Sequence, residues 1–154
     1  MSTPEARLRD LGIELPAVLP PAGTFVHAVR AGDLLYLGGA VPVRGDSTAI
    51  LGRLGAELDV TQGYEAARIC AFRALATIRE ELGSLDRVKR IVKLYGVVNA
   101  TSDFMQHTQV MNGASDMLVE VFGDAGKHAR LAVGVSSLPF NIALEIELTV
   151  QVED

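Results

Sequence analysis

The chain has 154 residues, 49% of them hydrophobic, with 14 basic and 19 acidic side chains for a formal net charge of −5. That length suits one domain able to bury roughly two-thirds of its unfolded surface, without metals or disulfides for support. The acidic balance, the scattered basic residues, the lack of tryptophan and the few other aromatics disfavour a nucleic-acid partner, whose phosphates and bases need cations and stacking platforms. Apolar runs fall far short of the ~20 residues needed to span a bilayer. No membrane partner is expected, and the polar start of the chain, without an apolar signal region, points to a cytoplasmic protein.

One domain is expected over residues 1–154, with a helical and proline-rich lead-in at about residues 1–22. The first ten residues read as a short capped helix, and Leu15-Pro16 to Pro20-Pro21 as extended chain, because each proline biases its predecessor away from the helical region. Thr24 to Arg30 and Asp33 to Leu37 then predict a hairpin turning at Ala31-Gly32, with Gly38-Gly39 ending its second strand. Gly45 to Gly55 is rich in glycine and polar residues and predicts a surface loop with room for a short edge strand.

From Thr61 an apolar stripe at Tyr64, Ala67, Ala71, Ala74 or Leu75, Ile78 and Leu82 predicts a long helix stopped by Gly83. Cys70 sits in that helical pattern as a small core residue; as the single cysteine it forms no intramolecular disulfide and no thiol metal cluster. Arg90 to Val98 is a β-rich run. A second helix carries Phe104, Thr108, Met111, Ser115, Leu118 and Phe122, with Ser102 as a candidate cap and Gly123 as the stop. Strands over Ala129 to Ser136 and Ile142 to Val152 follow, giving an α+β domain in which one mixed sheet carries two long helices on one face.

Alternation assigns faces to the last two strands. Leu131, Val133 and Val135 are expected in the helix-covered core, with Arg130, Ala132, Gly134 and Ser136 opposite them. Likewise Leu144, Ile146, Leu148 and Val150 oppose Glu145, Glu147 and Thr149. A face of very small residues with an arginine and carboxylates is either solvated or packed closely against another backbone. His27, His107 and His128 lack metal-ligand spacing, so no metal site is expected. Asp103 and Asp116 read as helix-start and helix-surface charges.

The run Lys127 to Val135, with Ala129-Arg130 opening a strand, then Leu138-Pro139 and Leu144-Glu145-Ile146-Glu147, resembles the signature of the Rid family, the reactive intermediate deaminases also called YjgF or L-PSP proteins. The likeness extends from about Gly23 to Val152 and implies a chorismate-mutase-like fold assembled as a homotrimer with ligand pockets between subunits. It places Arg130 and Glu145 on the two main functional positions and Gly39, within Gly38-Gly39-Ala40-Val41-Pro42, where a backbone amide faces the ligand. Asn112 matches the helix asparagine near the site. Phe25 stands where the deaminases carry a tyrosine and Ala132 where many carry a cysteine, so the chain is similar to a divergent branch.

The family reaction that the resemblance implies is hydrolysis of enamines or imines of amino acids to 2-oxo acids and ammonia, with no metal or organic cofactor. A planar guanidinium holds a carboxylate through two parallel hydrogen bonds, which suits Arg130 as the clamp. Glu145 would orient or deprotonate water, and His128 would serve as donor, proton shuttle or interface contact. A non-catalytic trimer that binds small carboxylate metabolites is the alternative expectation. Endoribonuclease activity, a name attached to the family, is disfavoured by charge and aromatic content.

Overall fold

Thr3 starts the first helix by accepting a hydrogen bond from the backbone N–H of Ala6 at 3.2 Å, with Pro4 in the first turn where its missing donor costs nothing. The computed structural model describes residues 2–154; Met1, part of the expected first helix, lies outside the described residues. After α1 (Pro4–Asp10) come β1 (Ala28–Ala31), β2 (Leu34–Leu37), α2 (Val60–Leu82), β3 (Val88–Asn99), α3 (His107–Phe122), β4 (Ala129–Val135) and β5 (Leu144–Val152). This is the predicted order, and the fold is a mixed α+β one with a five-stranded sheet ordered β1-β2-β5-β3-β4. Among the strand pairs of the described residues, β3–β4 alone is parallel, as its α3 crossover requires.

The hairpin is shorter than the sequence predicts. Ala31 pairs with Leu34, so the two-residue turn is Gly32-Asp33 rather than Ala31-Gly32, with Gly32 at φ +64°. The chain ahead of β1 is held by other means: His27 Nε2 lies 2.6 Å from the Leu19 carbonyl. The Gly45 to Gly55 segment forms isolated bridges instead of an edge strand, and the buried Asn99 amide ties it down by donating to the carbonyls of Gly52 and Ile142.

Helix α2 begins with a capping box between Asp59 and Gln62 and ends at Gly83, whose φ of +82° is open to glycine. Its alanine face admits α3 closely, and at Gly113 a Cβ would come within 2.8 Å of the Tyr64 carbonyl carbon. Helix α3 corrects two expectations. It starts at His107 after Gln106, without side-chain capping and well past Ser102. Its buried stripe runs through Val110, Ala114, Met117 and Val121 with Met111, Leu118 and Phe122, whereas Thr108 and Ser115 flank that stripe.

Both long helices cover the sheet face that carries Leu94, Val98, Leu144, Ile146 and Leu148. In β5 the alternation is as read from the sequence, but in β4 it is inverted. Arg130 pairs with Leu94, Ala132 with Gly96 and Gly134 with Val98, all on the helix side, while Leu131 is 49% exposed on the other face. The physical reason is the close approach of α3. A Cβ on Gly134 would meet His107 Nε2 at 2.6 Å, and one on Gly96 would meet Met111 Sδ at 2.6 Å, so the inward positions take small residues and the branched ones point outward.

Candidate active site

Arg130 lies on the edge strand with its side chain turned against α3, the helix it packs under. Nη1 donates to Asn112 Oδ1 at 2.8 Å and to Ser115 Oγ at 3.0 Å, and Nη2 reaches the Thr108 carbonyl at 3.4 Å. Thr108, Asn112 and Ser115 are spaced by four and three residues, so one helical face supplies all three acceptors. Because Arg is donor-only, the Asn112 amide must present its oxygen. Both Nη1 hydrogens are thereby engaged. The Nε–H bonds to no acceptor among the described residues, and Nη2 carries a second hydrogen beyond the one directed at Thr108; the Nε/Nη2 edge is the side of a guanidinium suited to a carboxylate.

His128 extends this cluster. Its Nδ1 is 2.6 Å from the Gly126 carbonyl and its Nε2 is 2.9 Å from Ser115 Oγ. Burial pushes the imidazole pKa down, Arg130 adds to that, and the bond to Gly126 opposes it. The ring therefore favours its neutral form.

Glu145 and Gly39 form a second cluster on the opposite, helix-free face. Glu145 lies in register with Val97 on β3, and with Gly39, Tyr95 and Glu147 it lines an open depression of about 210 Å³. A Cβ on Gly39 would fall 2.6 Å from the Glu145 carboxyl carbon. The side chain lies directly across the glycine backbone. Half-burial raises the Glu145 pKa, and the neighbouring Glu147 charge raises it further.

The predicted residues thus fall into two groups. Arg130, Asn112 and His128 come together under α3, and Gly39 and Glu145 come together on the other face, separated from them by the sheet. Phe25 joins neither by any hydrogen bond; it is 54% exposed ahead of β1, edge-on to His27 with ring centroids 6.0 Å apart. Ala132 faces the core under α3. Sequence reasoning missed Ser115 as a polar partner by assigning it to the apolar stripe; the polar pair Asn112 and Ser115, three residues apart on one helical face, was the available signal. It also missed Arg73, 7% exposed, whose guanidinium donates to the carbonyls of Ala17, Val43 and Arg44 at 2.6–2.7 Å and staples the lead-in and loop onto α2. Among the described residues no three His, Cys, Asp or Glu side chains are grouped to hold a metal ion, and no helix is long and apolar enough to cross a membrane.

Comparison with known proteins covers nearly the whole chain. The family described as "YjgF/chorismate mutase-like, putative endoribonuclease" matches residues 5–151. Protein TCP17 of Trypanosoma cruzi is 44% identical over 150 residues, 97% of this chain and 94% of that protein. Among solved structures, Atu1372 of Agrobacterium tumefaciens, of unknown function, superposes with a TM-score of 0.90 at 37% identity, covering 97% of this chain and 92% of its own. A "putative endoribonuclease" of Shewanella oneidensis reaches a TM-score of 0.95 at 34% identity, covering 98% of this chain and 100% of its own. RidA from an Antarctic Psychrobacter shares the fold at a TM-score of 0.63 and 20% identity, covering 91% and 98%.

Proposed function

The chain belongs to the YjgF/chorismate-mutase-like family, and from that premise we propose that it is a homotrimeric deaminase hydrolysing reactive enamine or imine intermediates of amino acids to 2-oxo acids and ammonia. The observation that carries this reading is the Arg130 guanidinium, braced on α3 by Asn112 and Ser115, with its Nε–H uncommitted and Nη2 held only by a 3.4 Å contact to the Thr108 carbonyl. Such an edge suits the carboxylate beside the reacting carbon of a 2-imino acid and fixes that carbon for attack. Glu145, with its pKa raised by burial, suits a group that orients water and takes up a proton. Addition of water across C=N then gives a carbinolamine, whose collapse releases ammonia and leaves the 2-oxo acid.

The separation of the two clusters supports an assembled site. Arg130 and Glu145 point away from opposite faces of one sheet, so a pocket containing both is built between subunits. The helix-free face supports such packing, because Leu131, Tyr36, Val29 and Val92 are all exposed on it or at its edge. A heterologous contact that closes after three copies gives three equivalent pockets.

Arg130→Ala should abolish saturable binding of a small 2-oxo acid and the acceleration of 2-iminopropionate decay. Losing two charge-assisted hydrogen bonds, each worth about 1.5–3 kcal/mol, weakens binding by at least ~10²-fold. An alanine variant with parental turnover would eliminate the clamp.

A second reading is a non-catalytic trimer that senses carboxylate metabolites. Its support is specific: Phe25 and Ala132 offer neither the hydroxyl nor the thiol that the deaminases carry at those positions. Calorimetry with 2-oxobutanoate beside the imine assay separates the two, since the sensor binds without turnover. The nuclease name borne by the family and by one relative finds no support in the net charge of −5.

A further inference from the structure

We propose that Ser115 and His128 are positioning residues for Arg130, forming a hydrogen-bond chain of fixed direction that decides which edge of the guanidinium meets a ligand. This deepens the carboxylate-clamp reading and rests on it for the ligand, though not for the chain itself. The direction is forced from both ends. Arg130 has only donors, so Ser115 Oγ must accept from Nη1. The Gly126 carbonyl only accepts, so the proton of a neutral His128 sits on Nδ1. Nε2 is then left as an acceptor, and the Ser115 hydroxyl, 2.9 Å away, has one place to send its hydrogen. Every polar atom along the path from Gly126 to Nη1 is satisfied by this single arrangement.

Three elements are joined by the chain: Ser115 comes from α3, His128 immediately precedes β4, and Gly126 closes the turn between them. With Asn112, it holds both Nη1 hydrogens and leaves the Nε–H and the second Nη2 hydrogen as the donors a ligand can meet. A proton added at His128 Nε2 reverses the link. Nε2 becomes a donor toward Ser115 Oγ, the serine hydrogen loses its acceptor, and a second cation stands beside Arg130. The other charged groups nearby are engaged elsewhere: Arg90 on β3 donates to the Lys127 carbonyl at 2.9 Å, Lys127 pairs with Asp124 at 2.9 Å, Asp116 accepts from Tyr64, and Glu120 faces Arg68. Arg130 is the charge that acts on the ring.

Two measurements on the full-length protein test this. Imidazole nitrogen shifts by NMR near neutral pH should show a neutral His128 protonated on Nδ1 in the parent. Finding the Nε2–H tautomer or a charged ring would overturn the proposal, with or without a ligand. Calorimetry with 2-oxobutanoate forms the second arm. Ser115→Ala should weaken binding by about tenfold, the worth of one hydrogen bond to a charged group, and His128→Phe, which removes the neutral bond behind it, by roughly threefold to tenfold. His128→Gln places an amide oxygen near the Nε2 position and should recover most of what the phenylalanine loses, while abolishing the pH dependence of affinity seen in the parent below the usual histidine value of about 6.5. Equal affinities for the Phe and Gln variants would also overturn it. If Arg130→Ala binds as the parent does, or the parent does not bind 2-oxobutanoate, the clamp reading fails and the tautomer alone judges the chain.

Discussion

Substitution of Gly39 by alanine perturbs the Glu145 site without changing the chemical identity of its carboxylate. The added Cβ would stand 2.6 Å from the Glu145 Cδ and 3.0 Å from its Cγ. Ordinary carbon contacts begin at about 3.5 Å, so the carboxyl carbon has to retreat by about 1 Å, and the carboxylate oxygen nearest the new methyl group by more. It is free to do so, because it is the end of a flexible side chain beside an open depression rather than packed backbone. Gly39 is also outside the positive-φ set, so alanine fits its backbone. Thermal stability should therefore hardly change. Turnover should fall steeply, since a displacement of ~1 Å at a reacting centre costs on the order of 10²-fold, or about 2.7 kcal/mol of barrier. The assay is disappearance of 2-iminopropionate generated in place by an amino-acid oxidase, beside a melting curve and a binding titration with 2-oxobutanoate. The contact lies within one subunit, so the expected loss does not depend on how the copies assemble. Parental turnover with the melting point unchanged would refute the assignment of Glu145 to water positioning.

Other perturbations test the frame around the site. Gly113→Ala drives a methyl group into the Tyr64 carbonyl, which as helix backbone cannot yield, so overpacking should cost about 1–3 kcal/mol and lower the melting point well below that of Gly39→Ala. Arg73→Met strips the donor from three carbonyls at about 1–3 kcal/mol each; allowing for rehydration, a loss of ~3 kcal/mol and a drop of roughly 6–12 °C are expected by calorimetry. Glu145, with its pKa raised by burial and then by Glu147, contributes stability below its unfolded value that is lost as pH rises through the folded one. Glu145→Gln should consequently raise the melting point at neutral pH and have no such effect in acid; a lower neutral melting point would contradict the burial account. His128 works in the opposite sense, because burial first and Arg130 second depress its pKa. Its contribution is present above about pH 6.5 and lost as pH falls through the folded value, so His128→Gln should flatten that part of the melting-point profile.

Element order, both long helices and the C-terminal signature were legible in the sequence because each rests on local rules. The alanine stripe of α2, the stop at Gly83 and the alternation of β5 express backbone geometry and periodicity over a few residues. Alternation gave the period of β4 but not its sign. Which side faces the core depends on how near α3 comes, and its close approach makes Gly134 and Ala132 the inward residues and leaves Leu131 outside. The same contact turned Arg130 onto Asn112 and Ser115 and made Ser115 a polar partner rather than a core residue. Likewise Glu145 and Gly39 are 106 positions apart in the chain, and only the Ala40–Ile146 bridge brings them together. The sequence by itself determined the local elements and the family resemblance that singled out candidate residues on them. Tertiary structure decided the face on which each stands, because a side chain's direction is set by whatever packs against its strand, and that partner comes from elsewhere in the chain.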